Sequence, residues 1–455
     1  MMSKFMKVAM ATTLVFTLAA CGKEKSSGTA ENKEKIIIKY ANWNNGPENE
    51  KNLERMMISA YEKKHKNVDI QVDVLDGDWN QALGTLASAG KLPDVFMQNN
   101  IPTGLANNWL LDLSKYANED EEFSKITDTV RNASTVEGKV FGIPFAQFFM
   151  GYFVNKNILD SLNLDIPKSG YSIDDFLTIA KKATNLENKT VGIDSTQGLV
   201  EWYPGAANPK LGWYTYADDS FHLDSKEMID GMNKMKELAS NGYAYSQLKK
   251  EQQEKLSGED AGLAFESGQI ALYYSSTYNI PSFMKKLNFD WDYIGIPGGR
   301  AAIVNDYLGI SKNTKHPKEA YEFAKFMSFG KEGFKERMNL SVKNGQDLTT
   351  LPISTDNELL DKYWEIYSIP GIQDTYNNLN NALVDPMKTL PGYIPARWEA
   401  KIGVKIGDKD DPNVWDLFNF ASQGVVQYQD YAKQLNELAN KSHKDAVDVI
   451  SKAIK

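Results

Sequence analysis

The chain has 455 residues, with 51 Lys and Arg against 60 Asp and Glu, a formal charge of −9. Such a length usually outgrows one hydrophobic core, so two are expected. The acidic balance argues against nucleic acid or an anionic lipid surface as the main partner. Ordinary apolar content, 42%, points to a globular body.

The N-terminus is basic through Lys4 and Lys7 and then uncharged from Val8 to Ala20. That run is shorter than the roughly 20 residues a bilayer span needs, and it reads as a secretory signal over residues 1–20. The single cysteine, Cys21, stands in Leu18-Ala19-Ala20-Cys21-Gly22, which resembles a bacterial lipobox. The resemblance implies cleavage before Cys21, lipid on its thiol and a membrane anchor. A lone thiol makes no internal disulfide, so an anchor accounts for it better than a covalent staple does. Residues 21–35 then read as a lipidated Cys with a flexible tether, reaching about 45 Å at 3.3–3.6 Å per residue. The body is expected outside the cytoplasm at the cell membrane. Sparse Arg beside abundant Lys and Asn leans towards a Gram-positive surface.

Ile36-Ile37-Ile38 opens a predicted strand ending near Trp43, broken by Asn44-Asn45-Gly46-Pro47. Leu53, Met56, Met57, Ala60 and Tyr61 recur at helical spacing, and Val68, Ile70, Val72 and Val74 alternate as a strand. A further strand runs from Asp94 to Met97. Strands alternating with helices predict a parallel sheet whose ligands sit beyond the strands' carboxyl ends, near Trp43-Asn44 and Gln98-Asn99-Asn100. A second unit has strands at Tyr152–Val154, Ile270–Tyr274 and Trp291–Ile296. Ser172 with Asp175 marks a helix start. Pro317 opens an amphipathic helix, and helical spacing dominates the last hundred residues.

Familiar catalytic signatures do not occur. The four histidines, His65, His222, His316 and His443, stand apart from one another and from carboxylates at ligand spacing, so no metal site is expected. No phosphate-binding, dinucleotide, GxSxG or HExxH pattern is present, and no cofactor is expected. Acid–base work by two carboxylates needs no such motif and stays open.

Several stretches in order carry a family resemblance: Gly138-Lys139-Val140-Phe141-Gly142-Ile143-Pro144, Tyr152–Asn155, Ala264–Leu272, Ile296-Pro297-Gly298-Gly299 and His316–Tyr321. From residue 36 onward the chain resembles the carbohydrate-binding lipoproteins of ABC importers, the extracellular solute-binding proteins related to maltose-binding protein. The resemblance implies an α/β, two-lobed periplasmic-binding-protein-like fold of type II, with the ligand cleft between lobes. It implies lobe 1 at 36–145 and 303–342, lobe 2 at 146–302 and 343–455, and crossings near Pro144–Phe149, Pro297–Asn305 and Asn339–Leu351. It further implies a monomer that closes on a carbohydrate and presents it to the ABC permease.

Sugars combine hydroxyls with apolar C–H faces, so their sites mix carboxylates and amides with aromatic rings. Aligned to the family, the ligand-binding candidates of the first lobe are Trp43, Asn44, Glu48, Trp79 and Gln98. Gln147 or Phe148 stands at the first crossing. Second-lobe candidates are Glu201, Trp202, Tyr203 and Tyr278, followed by Asp306 after the second crossing and Arg397-Trp398 near the end. If Trp202 and Tyr203 are extended, one of them packs inside. Trp213, Tyr214 and Tyr216 read as packing. The main reading is a receptor for an oligosaccharide with no catalytic activity. A same-fold receptor for another solute, with Arg397 serving an acidic ligand, and a glycosidase using Glu201 are the alternatives.

Overall fold

A computed structural model describes residues 35–454. The signal segment, Cys21 and the tether up to Glu34 lie outside them. Among the described residues the strands are β1 (Ile36–Ala41), β2 (Val68–Val72), β3 (Val95–Gln98), β4 (Thr135–Val136), β5 (Lys139–Val140), β6 (Ile143–Asn155), β7 (Val191–Ile193), β8 (Ile270–Ser276), β9 (Trp291–Gly295), β10 (Ala302–Ile310) and β11 (Leu383–Val384). β4 and β5 form a separate hairpin. The other nine make one sheet in the order β2-β1-β3-β10-β6-β8-β7, with β11 beside β10 and β9 beside β6.

Local chemistry explains the flanking helices. Asn52 caps helix Leu53–Lys64 by accepting the Arg55 N–H, and Met57, Ile58, Ala60 and Tyr61 form its buried face. Met56 is only half-buried, because the stripe that meets the sheet is turned towards Ile58. Ser172 and Asp175 form the expected capping box on helix Ile173–Lys182. Pro317 occupies the first turn of helix Pro317–Met327, where its missing N–H costs nothing. Two strand ends differ from expectation. β1 stops at Ala41, and Asn42 caps a 3-10 turn that holds Trp43. β2 stops at Val72, leaving Val74 exposed beyond the end of its partner.

β6 joins two sets of strands. Its 13 residues span about 43 Å at ~3.3 Å each. Ile143–Met150 pairs with β10, which continues to β3, β1 and β2. Met150–Val154 pairs with β8, and Tyr152–Asn155 takes β9 on its other edge. One apolar cluster holds Tyr40, Met57, Phe323 and Met338 and runs on through Phe149 to Phe283 and Tyr293. A second centres on Tyr152, Phe176, Trp202 and Phe418. Helix Ala432–Ala453 touches two clusters: Leu435 and Ala439 pack in the second, while Ile450 packs with Leu83, Ile101 and Leu105. Among the described residues, no helix is long and apolar enough to cross a membrane.

Candidate functional site

The crossing of β6 and β10 has an open side. There a cavity of about 670 Å³ is lined by Trp43, Asn44, Phe148, Tyr278, Asn279 and Asp306. That volume falls in the roughly 300–1,000 Å³ range of small-molecule sites. Trp43 is 36% exposed and Tyr278 54% exposed, large values for rings this size. Each is braced from behind. Trp43 meets the edge of Trp79 at 5.3 Å, and Trp79 donates its Nε1–H to the Met97 carbonyl at 2.8 Å. Tyr278 meets the edge of Phe148 at 5.8 Å. The floor carries a buried ion pair, Arg337 to Glu54, with Arg337 also donating to the Met327 carbonyl at 2.9 Å.

From Trp43 and Asp306 a polar seam leads away from the cavity. Lys388 pairs with Asp306 and stands 5.5 Å from the Trp43 ring centroid. Its own backbone carbonyl accepts the Ile101 N–H at 2.8 Å, and Asn100 donates to the Met387 carbonyl at 2.8 Å. Asp385 follows β11 and accepts the Met387 N–H at 2.9 Å. Burial pushes the Asp385 carboxyl up to about 7, opposed by that hydrogen bond and reinforced by the charge of Glu201. Glu201 is itself raised by burial and pulled back by Arg397, whose Nη2 lies 3.3 Å from its Oε1. Tyr274, on β8, feels the charge of both Glu201 and Asp385.

The candidates therefore separate. Trp43, Asn44, Tyr278 and Asp306 come together on the cavity. Glu201, Arg397 and half-buried Trp398 lie at the far end of the seam. Trp79 stands behind Trp43. Glu48 faces a different hollow of about 1220 Å³ along helix Leu53–Lys64. Another hollow, of about 950 Å³ near Lys39 and His316, contains none of the candidates.

Four placements depart from the expected exposure to ligand. Gln98 is buried in β3 and donates to the Phe141 carbonyl at 3.1 Å. Gln147 is buried and fastens residues 350–352 to β6: its N–H donates to Thr350 Oγ1 at 3.0 Å and its Nε2 to the Pro352 carbonyl at 3.1 Å. Trp202 is fully buried against Tyr152 and Phe176. Tyr203 is buried too, its hydroxyl on Asp230. The cause of the last two is helix Leu199–Ala207. In a helix, Trp202 and Tyr203 can both turn to the core while Glu201 keeps the open edge. Sequence reasoning also missed Lys388, Asp385, Asn279 and Tyr274. Asp385-Pro386, a turn signal in a stretch without periodicity, was the one pointer to the first two.

Comparison with known proteins adds the ancestry. The family described as bacterial extracellular solute-binding protein matches residues 56–364. The chain is 27% identical over 336 residues to an uncharacterized ABC transporter extracellular-binding protein of Pyrococcus horikoshii, covering 68% of this chain and 70% of that one. It is 24% identical over 265 residues to the melibiose/raffinose/stachyose-binding protein MelE of Bacillus subtilis, covering 57% and 58%. A sugar transporter structure from Rhizobium etli in an open conformation matches with a TM-score of 0.68 at 19% identity, over 89% of this chain and 99% of that one. The last likeness shows the fold, two-lobed and α/β.

Proposed function

Because the chain belongs to the bacterial extracellular solute-binding protein family, we propose that it captures an oligosaccharide between two lobes and delivers it to an ABC permease. It is a binding protein rather than an enzyme and works on the extracytoplasmic side. Lobe 1 takes residues 36–145 and 303–342, and lobe 2 takes 146–302 and 343–455. β6, paired to strands of both sets, and β10, which runs antiparallel beside it from Ala302 to Leu308, serve as crossings between them. Ligand contacts present only in the closed form drive closure, since a ligand shifts an equilibrium by its differential affinity alone. Cys21 carries a lipid anchor that keeps a monomeric receptor near its permease, on a Gram-positive surface.

The observation that carries the reading is the pair of exposed, braced rings, Trp43 and Tyr278, lining one cavity with Asn44, Asn279 and Asp306. Flat apolar faces beside amide and carboxylate acceptors match the two surfaces of a sugar. MelE by its name binds melibiose, raffinose and stachyose, which supports the same class here. A thermal-shift screen of mono- and oligosaccharides tests it, because a ligand that binds only the folded form raises the melting temperature. An oligosaccharide should give the largest shift and be recovered intact. A screen in which peptides or polyamines shift the melt and no sugar does would overturn the reading.

A further inference from the structure

Arg397 is among the largest fully buried side chains, at 1% exposure. Its guanidinium carbon lies 5.2 Å from the ring centroid of Trp398, 5.3 Å from Trp415, and 5.4 Å from both Tyr214 and Phe418. A guanidinium is weakly hydrated and tolerates such a cage through cation–π attraction. Among the described residues only Nη2 reaches a hydrogen-bond partner, Glu201, while Nε and Nη1 have none. Sinking a cation this deep makes sense if its charge serves the one carboxylate it meets. Glu201, by contrast, keeps 20% of its side chain in the open.

Resting on the carbohydrate reading above, we propose that Arg397 is a positioning residue that holds Glu201 as an ionised acceptor for the hydroxyls of an uncharged glycan. The charge census supports the uncharged class. Each cation of the seam already faces a carboxylate, Lys388 on Asp306 and Arg397 on Glu201, and Asp385 adds a third acid. The titratable groups close enough to interact with the charge of Glu201 are Arg397, Asp385, Tyr214, Tyr274 and Tyr393. Of these only Arg397 is cationic, so its removal leaves burial and neighbouring acid to favour protonated Glu201. Charge-assisted hydrogen bonds to sugar hydroxyls are then lost in the acid range.

The test titrates the full mature chain with its best neutral oligosaccharide, by calorimetry from pH 5.5 to 8. Wild type, Arg397→Met, Arg397→Lys and Glu201→Gln are compared, each with its melting temperature without sugar. Wild type should change affinity across this range only as Asp385 ionises. Arg397→Met should bind about tenfold or more weaker than wild type at pH 5.5 and recover towards pH 8, and Arg397→Lys should restore much of the wild-type profile. Glu201→Gln, nearly isosteric, keeps an oxygen that can accept from Arg397 and should lose about tenfold at every pH, with a lower melting temperature from the uncompensated buried cation. The same sugar bearing a uronic acid should bind wild type at least tenfold more weakly. An Arg397→Met protein that binds as wild type does, or that weakens equally at all pH values, overturns the proposal. So does a Glu201→Gln protein with wild-type affinity, which decides the matter even if Arg397→Met does not fold. Equal affinity for the acidic sugar overturns the ligand class. Should wild type bind no sugar at all, the carbohydrate reading itself falls.

Discussion

The two ends of the seam treat aromatic rings in opposite ways. At the Trp43 end the rings stay in the open, because a 3-10 turn capped by Asn42 lifts Trp43 off the end of β1. At the Glu201 end Trp202, Tyr203 and Tyr214 are buried, and the acid is left at the surface of the cleft. Similar residue types thus serve as ligand platform at one end and as packing that fixes a charged pair at the other. Backbone geometry decides which. A turn presents one side chain without burying a whole face, whereas a helix that covers a sheet must give its apolar face to the core.

Substitutions can break or sharpen that contrast. Trp202→Ala should have the largest effect, about 3–5 kcal/mol of lost stability in denaturant unfolding, since it empties a core site. Trp43→Ala and Tyr278→Ala should do the reverse. Each should weaken sugar binding about tenfold or more in calorimetry, because ring contacts and their buried area contribute about 1–3 kcal/mol, with little effect on unfolding. If Trp202→Ala folds normally and loses binding, the distinction between the ends collapses. Gln147→Ala is a finer test. It should cost about 0.5–1.5 kcal/mol of stability, because it removes one of two donors to the buried Pro352 carbonyl and the Tyr376 hydroxyl still donates at 2.8 Å, and affinity should hold once the protein is folded.

The sequence made some of this readable and hid the rest for definite reasons. Helix starts were legible where a side chain caps a backbone N–H within three residues, as at Ser172–Asp175, or where proline fixes the first turn, as at Pro317. Ends of strands were less so, since β2 stops where β1 ceases to offer a partner rather than where its apolar alternation stops. An extended stretch would turn only one of Trp202 and Tyr203 inside, yet both are buried because they lie in helix Leu199–Ala207, which carries Pro204 and Gly205 within it. The fit is local: the Asn208 N–H still reaches the Pro204 carbonyl at 2.9 Å. Gln98 and Gln147 were plausible ligand amides by type, but their partners are backbone carbonyls distant in sequence. Lys388 and Asp385 had no periodic signal. Their place depends on β11, a two-residue strand whose parallel pairing to Ala302 and Ile303 draws the segment up to Asp306.

The last expected effect concerns Asp385, and it is read by pH rather than by truncation. Burial lifts its carboxyl from 3.8 to about 7, while Arg397 and Lys388 act in the other direction. In the unfolded chain the group ionises near its ordinary value. Between about pH 4 and 7 the folded state therefore holds a proton that the unfolded state has released, and stability falls as pH rises across that window. Below the window both states are protonated and the full contribution is retained. Asp385→Asn keeps the shape without the titration, so its melting temperature should fall less than that of wild type between pH 5 and 7. An ion pair away from the seam, such as Lys331 with Asp356, should not contribute in that window, because the Asp356 carboxyl is held below its ordinary value by the Lys331 hydrogen bond. Parallel melting curves for wild type and Asp385→Asn across that range would show that Asp385 stays ionised in the folded protein. Lys388 and Arg397 would then outweigh burial, and the seam would present three fixed carboxylates to its ligand.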